Sequence, residues 1–215
     1  MSGLPSAAAA IVASYVLGSV PFGLLLSLYV RGVDLRREGS GNVGATNVGR
    51  VLGKRWFGPA LLLDAAKGAA AALFVAPRAD VPDNWMHLLQ AACGGAAVAG
   101  HVFSVFLRFR GGKGVATAAG VLAALAPVPL LGALVVFVAT ALISGYVSLA
   151  SVLAAVAIPL LAWWSESPTE ILWFAGTVAV VIVIRHHSNL YRIAKGAEPR
   201  LRRRRVRAQE DEPRV

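Results

Sequence analysis

Charge is scarce in this chain, and so is cysteine. Asp, Glu, Lys and Arg make up 15% of its 215 residues, against roughly 25% in a soluble domain. No charged side chain occurs from Met1 to Val30, and none from Gly114 to Ser165. That excludes an ordinary soluble core. The hydrophobic residues, 57% of the chain, fall in long unbroken runs, the pattern of an all-α, polytopic integral membrane protein. A single cysteine, Cys93, excludes an intrachain disulfide; set inside an apolar run, it reads as an inert buried thiol. No Cys, His and acidic residues stand at metal-ligand spacing, so no metal is expected; the adjacent His186 and His187 point different ways on a helix. No internal repeat, long linker or soluble domain is visible. No basic segment precedes the first apolar run, so that run is expected to be a retained span and not a cleaved signal. Acidic residues are also few, 11 against 21 Lys and Arg, for a net charge of +10. Such an excess suits nucleic acid, but the basic residues lie in loops between apolar runs, the mark of membrane topology. No nucleic-acid partner is expected.

What is there orders itself by topology. Span 1 is expected within Ala7–Tyr29, span 2 at Trp56–Pro77, span 3 at Trp85–Leu107 and a last span at Ile171–Ile184. The loop 31–55 carries Arg31, Arg36, Arg37, Arg50, Lys54 and Arg55, and is expected inside; the segment 78–83, with Asp80 and Asp83, suits the outside. As one helix, Gly114–Ser165 would run about 78 Å, far beyond a hydrocarbon core of about 30 Å. Pro127 with Pro129, and Ser144-Gly-Tyr-Val-Ser148, are the natural breaks. The loop 108–113 is basic and inside, the segment 165–170 with Glu166 and Glu170 is outside, so an odd number of spans links them. Three fit. The count is seven transmembrane helices, N-terminus outside and C-terminus cytoplasmic, with five spans and re-entrant stretches as the alternative. Residues 1–199 read as one membrane domain and 200–215 as a basic, partly disordered tail; the six arginines of Arg200–Arg207 suit anionic headgroups.

This topology brings four polar segments to one leaflet. Gly111-Gly-Lys-Gly114 sits between two uncharged runs. Glycines let backbone N–H groups approach an anion, an ammonium neutralises it, and a helix starting near Gly114 would add its positive end. It is not a Walker A loop, because Gly114 follows the lysine where Ser or Thr should stand; a plain glycine-rich turn is the bland alternative. The loop Gly39-Ser-Gly-Asn-Val-Gly-Ala-Thr-Asn-Val-Gly-Arg50 is dense in hydrogen-bonding and turn-forming residues, and Arg50 can grip a phosphate with its planar fork. Two charges, Asp64 and Lys67, lie inside span 2 at i,i+3, on one helix face. Intramembrane charges are costly; a mutual salt bridge facing the bundle is expected. His101, near the end of span 3, reads as a hydrogen-bonded structural histidine.

In this order, the motifs resemble the bacterial acyl-phosphate:glycerol-3-phosphate acyltransferases, the PlsY family, over nearly the whole chain. Gly39–Arg50 resembles the first motif and Gly100–Thr117 the second; Ser144–Ala150 and Arg185–Asn189 with Glu198 resemble the rest. Ser104 stands where a proline is common, Arg110 where a lysine is, and Pro199 follows the glutamate. The resemblance implies acyl transfer from acyl-phosphate to the 1-hydroxyl of glycerol-3-phosphate, giving lysophosphatidic acid and phosphate, without cofactor or metal. The implied location is the bacterial cytoplasmic (inner) membrane, with membrane lipids around the chain and the site on the cytoplasmic face. The residues implied to act are Ser40, Arg50, Lys113, His186 and Asn189. Those implied to bind substrate are Asn42, Thr46, Asn47, Gly111, Gly112, Gly114 and Ser148. The attacking hydroxyl's proton has two candidate acceptors, His186 and the oxygens of the acyl-phosphate itself. No serine shows the base-plus-orienter pattern of a covalent nucleophile. The rival from another class is a carrier for a phosphorylated anion. A carrier needs midplane sites and usually repeats, whereas here only Asp64 and Lys67 lie deep.

Overall fold

The computed structural model describes residues 3–201, and every regular element among them is helical. The first apolar run forms α1 (Gly3–Ser19) and α2 (Phe22–Arg31), separated at Val20-Pro21. The expected first span is one apolar stretch long enough to cross, Gly3–Arg31, but its helix is interrupted. Proline has no N–H and disfavours the helical conformation in the residue before it. The freed carbonyls find new donors inside the bundle, as a nonpolar solvent requires. Ser104 Oγ donates to Ser19 O at 2.6 Å and Lys67 Nζ to Val20 O at 3.0 Å. A short α3 (Ala45–Val51) lies in the polar loop that follows. Helix α4 (Phe57–Ala70) continues through one π turn and one 3₁₀ turn to Arg78, and α5 (Asp83–Val102) returns.

The long uncharged stretch forms three helices, with the breaks where the prolines and Gly145 stand: α6 (Val115–Leu125), α7 (Pro127–Ser144) and α8 (Val147–Trp164). Ala126, before Pro127, leaves the helical region at φ −150° and ψ 68°, in line with the bias that proline puts on the residue before it. The 11 residues of α6 span only about 16 Å, too little to cross a bilayer alone. Last come α9 (Thr169–Arg185) and α10 (His187–Ala194), bent by 51°. By length and hydropathy five helical stretches can cross a membrane, and α9 with α10 makes a sixth if the bent pair is taken as one. The shortfall against seven lies in α6, which Pro127 cuts short.

Small residues set how closely the helices approach, as is usual in lipid. A Cβ on Gly18 of α1 would stand 2.1 Å from Ala97 O of α5, and one on Gly120 of α6 would stand 1.8 Å from Ala65 O of α4. The outer surface is apolar: Leu142 and Ile143 are 79% and 87% exposed, which suits hydrocarbon and not water. Trp163, Trp164 and Trp173 are exposed around the 165–168 turn, where an interfacial aromatic belt would sit. Ser6 Oγ bonds both backbone groups of Asp80, so the start of α1 and the 79–82 turn share one end of the bundle. The polar loops gather at the other. Of the basic tail, residues 202–215 lie outside the described residues.

Candidate active site

At the polar end, a cavity of about 380 Å³ opens among the loop 40–50, the start of α6, the start of α8 and the α9–α10 bend. The first wall is a loop that folds on its own asparagine. Asn47 is 2% exposed; its Oδ1 accepts from Ser40 N–H at 2.8 Å, and its Nδ2 donates to Glu38 O at 3.0 Å and Leu35 O at 3.3 Å. All of its amide is thus engaged in shaping the loop. Gly39 has φ +60°, and a Cβ there would meet Asn47 Oδ1 at 2.3 Å, so only glycine fits. The loop presents Ser40, Asn42, Thr46, Asn47 and Arg50 to the cavity. Arg50 has no ion-pair partner among the described residues.

The second wall is the glycine-rich loop, and here one expectation needs correction. Gly111 N–H donates to Val102 O at 3.1 Å and Gly112 N–H to His101 O at 2.9 Å. These two amides are spent holding the loop onto the end of α5 and are not offered to a ligand. Gly111 and Gly112 lie behind the cavity wall, and only Lys113 and Gly114 of this motif reach it. Their bareness serves packing: a Cβ on Gly111 would stand 2.0 Å from His101 O, and one on Gly112 would stand 2.1 Å from His101 Nε2. Gly114, at φ +87°, turns the chain into α6, whose N-terminal positive end faces the same space. Arg185 closes the loop from the far side, its guanidinium 3.3 Å from both Gly111 O and Gly112 O.

The third wall is knitted by a carboxylate. Glu198 Oε1 accepts from Asn189 Nδ2 at 2.7 Å and from Ser148 Oγ at 2.8 Å, while Oε2 accepts from Arg192 Nε at 2.8 Å. Asn189 Oδ1 in turn accepts from Lys113 Nζ at 2.5 Å. One hydrogen-bonded line therefore runs from the glycine-rich loop through α10 to α8. Pro199 does not disrupt it: Leu201 N–H donates to Gly145 O at 2.8 Å and Arg200 Nε to Tyr146 OH at 2.9 Å. The tail is strapped across the α7–α8 turn, with Glu198 held inward. Burial would raise the Glu198 carboxyl, but the bonds from Asn189, Arg192 and Ser148 outweigh it and hold it below its ordinary value.

His186 stands at the bend. Its helix does not continue, so it shares no face with Asn189; instead the turn itself brings both into the cavity. His186 Nδ1 lies 2.8 Å from Ile182 O. A carbonyl only accepts, so Nδ1 carries the proton and Nε2 keeps a lone pair. Burial, and then the nearby Lys113 ammonium, push this imidazole down to about 4. Burial also lowers Lys113, to about 8; Glu198 opposes this and Arg192, Arg50 and Arg185 add to it. At neutral pH the site thus holds a neutral His186, the half-buried Lys113 ammonium and three guanidiniums, against two carboxylates, Glu198 and an Asp64 that is ion-paired with Lys67. Phe57, Leu61, Phe137, Val147 and Ile184 form the apolar part of the lining. Such a cavity can take a doubly charged phosphate together with a hydrocarbon group.

Of the twelve residues expected, ten line the cavity: Ser40, Asn42, Thr46, Asn47, Arg50, Lys113, Gly114, Ser148, His186 and Asn189. Arg185, Arg192 and Glu198 were not counted among the ligands, although the motifs contain Arg185 and Glu198; a carboxylate set among hydrogen-bond donors was the available signal. Ser104 also has its reason here, since its hydroxyl caps the α1 break, a bond that proline could not make.

A family model for glycerol-3-phosphate acyltransferase matches residues 8–196. The glycerol-3-phosphate acyltransferase of Geotalea daltonii is 46% identical over 87% of this chain and 94% of its own length. That of Geobacter sulfurreducens is 42% identical over 88% of this chain and 94% of its own. Two crystal structures of PlsY (YgiH), an integral membrane glycerol 3-phosphate acyltransferase, share the fold. The glycerol 3-phosphate form has a TM-score of 0.83 at 38% identity, and the lysophosphatidic acid form 0.81 at 37%; each comparison covers 91% of this chain and 95% of the other. With its apolar helices and the cavity at their polar end, the chain belongs to the PlsY-type glycerol-3-phosphate acyltransferases, multi-pass integral membrane enzymes of lipid biosynthesis.

Proposed function

We propose that the acyl donor is an acyl-phosphate, and that its acyl group passes to the 1-hydroxyl of glycerol-3-phosphate to give lysophosphatidic acid and inorganic phosphate. The observation that carries this reading is the charge in one cavity: three guanidiniums and the Lys113 ammonium, against a Glu198 carboxylate that is fully hydrogen-bonded and an Asp64 carboxylate already paired with Lys67. Two phosphate-bearing ligands need that surplus. Arg50 and Lys113 neutralise the phosphates, and the start of α6 adds its dipole. Ser40, Asn42, Thr46, Ser148 and Asn189 orient the ligands by hydrogen bonds, and Asn47 keeps Ser40 and Arg50 in place.

In the reaction the glycerol oxygen attacks the acyl carbon, the carbon–oxygen bond to phosphate breaks, and the hydroxyl proton must leave. His186 Nε2 can accept it, but an imidazole held near 4 is a weaker base than a phosphate group, whose second pKa is about 6. We infer that the proton goes to an oxygen of the departing phosphate and that His186 positions the hydroxyl. The Lys113 ammonium and the guanidiniums stabilise charge as it moves onto the leaving group.

We further infer seven membrane crossings with the N-terminus outside and the C-terminus inside, α6 completing its crossing with the loop before it. Residues 1–199 then form one membrane domain, with the cavity on the cytoplasmic face of a bacterial cytoplasmic membrane. Basic residues around the polar loops support that side. The test is direct: protein purified in detergent is given acyl-phosphate and glycerol-3-phosphate, and phosphate release and lysophosphatidic acid are measured. Turnover without a membrane gradient also separates the enzyme from a carrier. Transfer from an acyl-thioester but not from acyl-phosphate overturns the donor assignment.

A further inference from the structure

The mechanism leaves three buried ionisable groups unused. Asp64 and Lys67 of α4 are 1% and 3% exposed, and His101 of α5 is 7% exposed. Lys67 Nζ meets three acceptors: Asp64 Oδ1 at 2.9 Å, Val20 O at 3.0 Å and His101 Nδ1 at 2.8 Å. Val20 O and His101 Nδ1 stand at hydrogen-bond distance, while Asp64 is held as an ion pair whose two carboxylate oxygens have no hydrogen-bond partner among the described residues. His101 Nδ1 stands farther from Asp64 Oδ1, at 3.5 Å, and faces Lys67 as an acceptor. An acceptor nitrogen carries no proton, which places the imidazole proton on Nε2. That same Nε2 is the atom a Cβ on Gly112 would strike at 2.1 Å, while His101 O holds Gly112 N–H at 2.9 Å. One residue therefore clasps the glycine-rich loop with both backbone and ring, and the ring is fixed by a charge pair inside the membrane.

We propose that Asp64, Lys67 and His101 form a positioning device for the glycine-rich loop: the Asp64–Lys67 pair locks the His101 ring in its Nε2–H tautomer, and the ring fixes Gly112 and hence Lys113. The pair is neutral overall, which lets it lie at depth. Lys67 ties the device to the broken end of α1 through Val20, and Asp64 and His101 border the same cavity. Its purpose rests on the reading of that loop as a phosphate site. None of the three is assigned contact with substrate; each acts through Lys113.

A buried pair can also be retained for stability alone, and two variants separate the cases. Losing one partner of a buried pair destabilises, whereas replacing both by apolar residues of similar volume is often neutral or stabilising. The variants are Lys67→Met and the double variant Asp64→Leu/Lys67→Met. Three quantities are measured on full-length protein in detergent: thermal midpoint, the calorimetric Kd for glycerol-3-phosphate, and the histidine tautomer from long-range ¹H–¹⁵N spectra. The His101 signal is identified by its loss in His101→Asn. Wild type is expected to show His101 with its proton on Nε2. The double variant is expected to recover the midpoint lost in Lys67→Met, yet to keep a Kd raised roughly tenfold to a hundredfold with the tautomer no longer fixed. A double variant with wild-type Kd, or wild-type His101 with its proton on Nδ1, overturns the proposal. Wild-type protein that binds no glycerol-3-phosphate overturns the phosphate reading instead, while the tautomer signal still decides whether the lock exists.

Discussion

At the scale of single residues, the site is governed by one guanidinium, that of Arg50, and by what burial does to Lys113 and His186. Arg50 has no ion-pair partner among the described residues, so its fork is available to an anion. Arg50→Lys keeps the charge and loses the two-pronged bond; activity should fall by about one to two orders of magnitude, and a near-silent substitution would reduce Arg50 to a topology marker. Lys113 is lowered to about 8, chiefly by burial. A lowered lysine loses its charge as the pH rises through that value, so the Kd for glycerol-3-phosphate should weaken steadily above about pH 8. Lys113→Arg, which stays charged, should remove that limb in a calorimetric titration. For His186, lowered to about 4 by burial and by Lys113, a general-base role would make kcat fall only near that pH. Substrate phosphate should instead set an acidic limb near 6. If His186 positions, His186→Gln keeps this limb and loses no more than about tenfold in kcat, whereas loss of a general base costs about two to four orders of magnitude. A pH–rate profile at saturating acyl-phosphate distinguishes them.

At the scale of elements, the sequence carried the breaks better than the lengths. Pro127 and Ser144–Ser148 marked the ends of α7 without ambiguity, because proline and a left-handed glycine, Gly145 at φ +76°, leave the chain few options. The kink at Pro21 was present in the residues too, but hydropathy runs straight through it. What hides it is compensation: the carbonyls it frees are met by Lys67 and Ser104, at 47 and 85 positions away, and no local pattern reports such partners. The glycine-rich loop was legible as a motif and misread in detail, since spacing cannot show that Gly111 and Gly112 spend their amides on α5. The strap that follows α10 was hardest to see. Glu198 joins Ser148, Asn189 and Arg192 across three elements, and only the fold brings them together. Its removal should be felt accordingly. Glu198→Ala strips acceptors from Ser148 and Asn189 and should cost about 2–3 kcal/mol in stability; Glu198→Gln, which keeps an acceptor, should cost less, as thermal midpoints in detergent will show. Because the folded carboxyl is held below its ordinary value, its contribution is complete above about pH 4.3. It should fade as the pH falls through the lower folded value. A midpoint lost on the alkaline side instead would contradict the assigned partners.

At the scale of the whole molecule, the question is which leaflet the cavity faces. Two ends of the bundle are defined by contacts alone. Asp80 and Ser6 mark one, and the bond from Lys113 to Asn189 marks the other. Since α5 joins them and is long and apolar enough to cross a membrane, its two termini are expected on opposite sides. The basic residues Arg108, Arg110 and Lys113 stand at the second end and Asp80 and Asp83 at the first, so the cavity should face the cytoplasm. Two probes test this in a Cys93→Ala background, which removes the buried thiol. Gly112 is a poor probe site, because any side chain there collides with His101. Arg110 is exposed, as is Pro82 in the opposite turn. A membrane-impermeant maleimide added to intact cells should label Pro82→Cys and spare Arg110→Cys until the membrane is opened. Labelling of Arg110→Cys in intact cells would invert the orientation and put the cavity outside. Labelling of both from one side would mean that α5 does not cross, and the assignment of spans would fail with it.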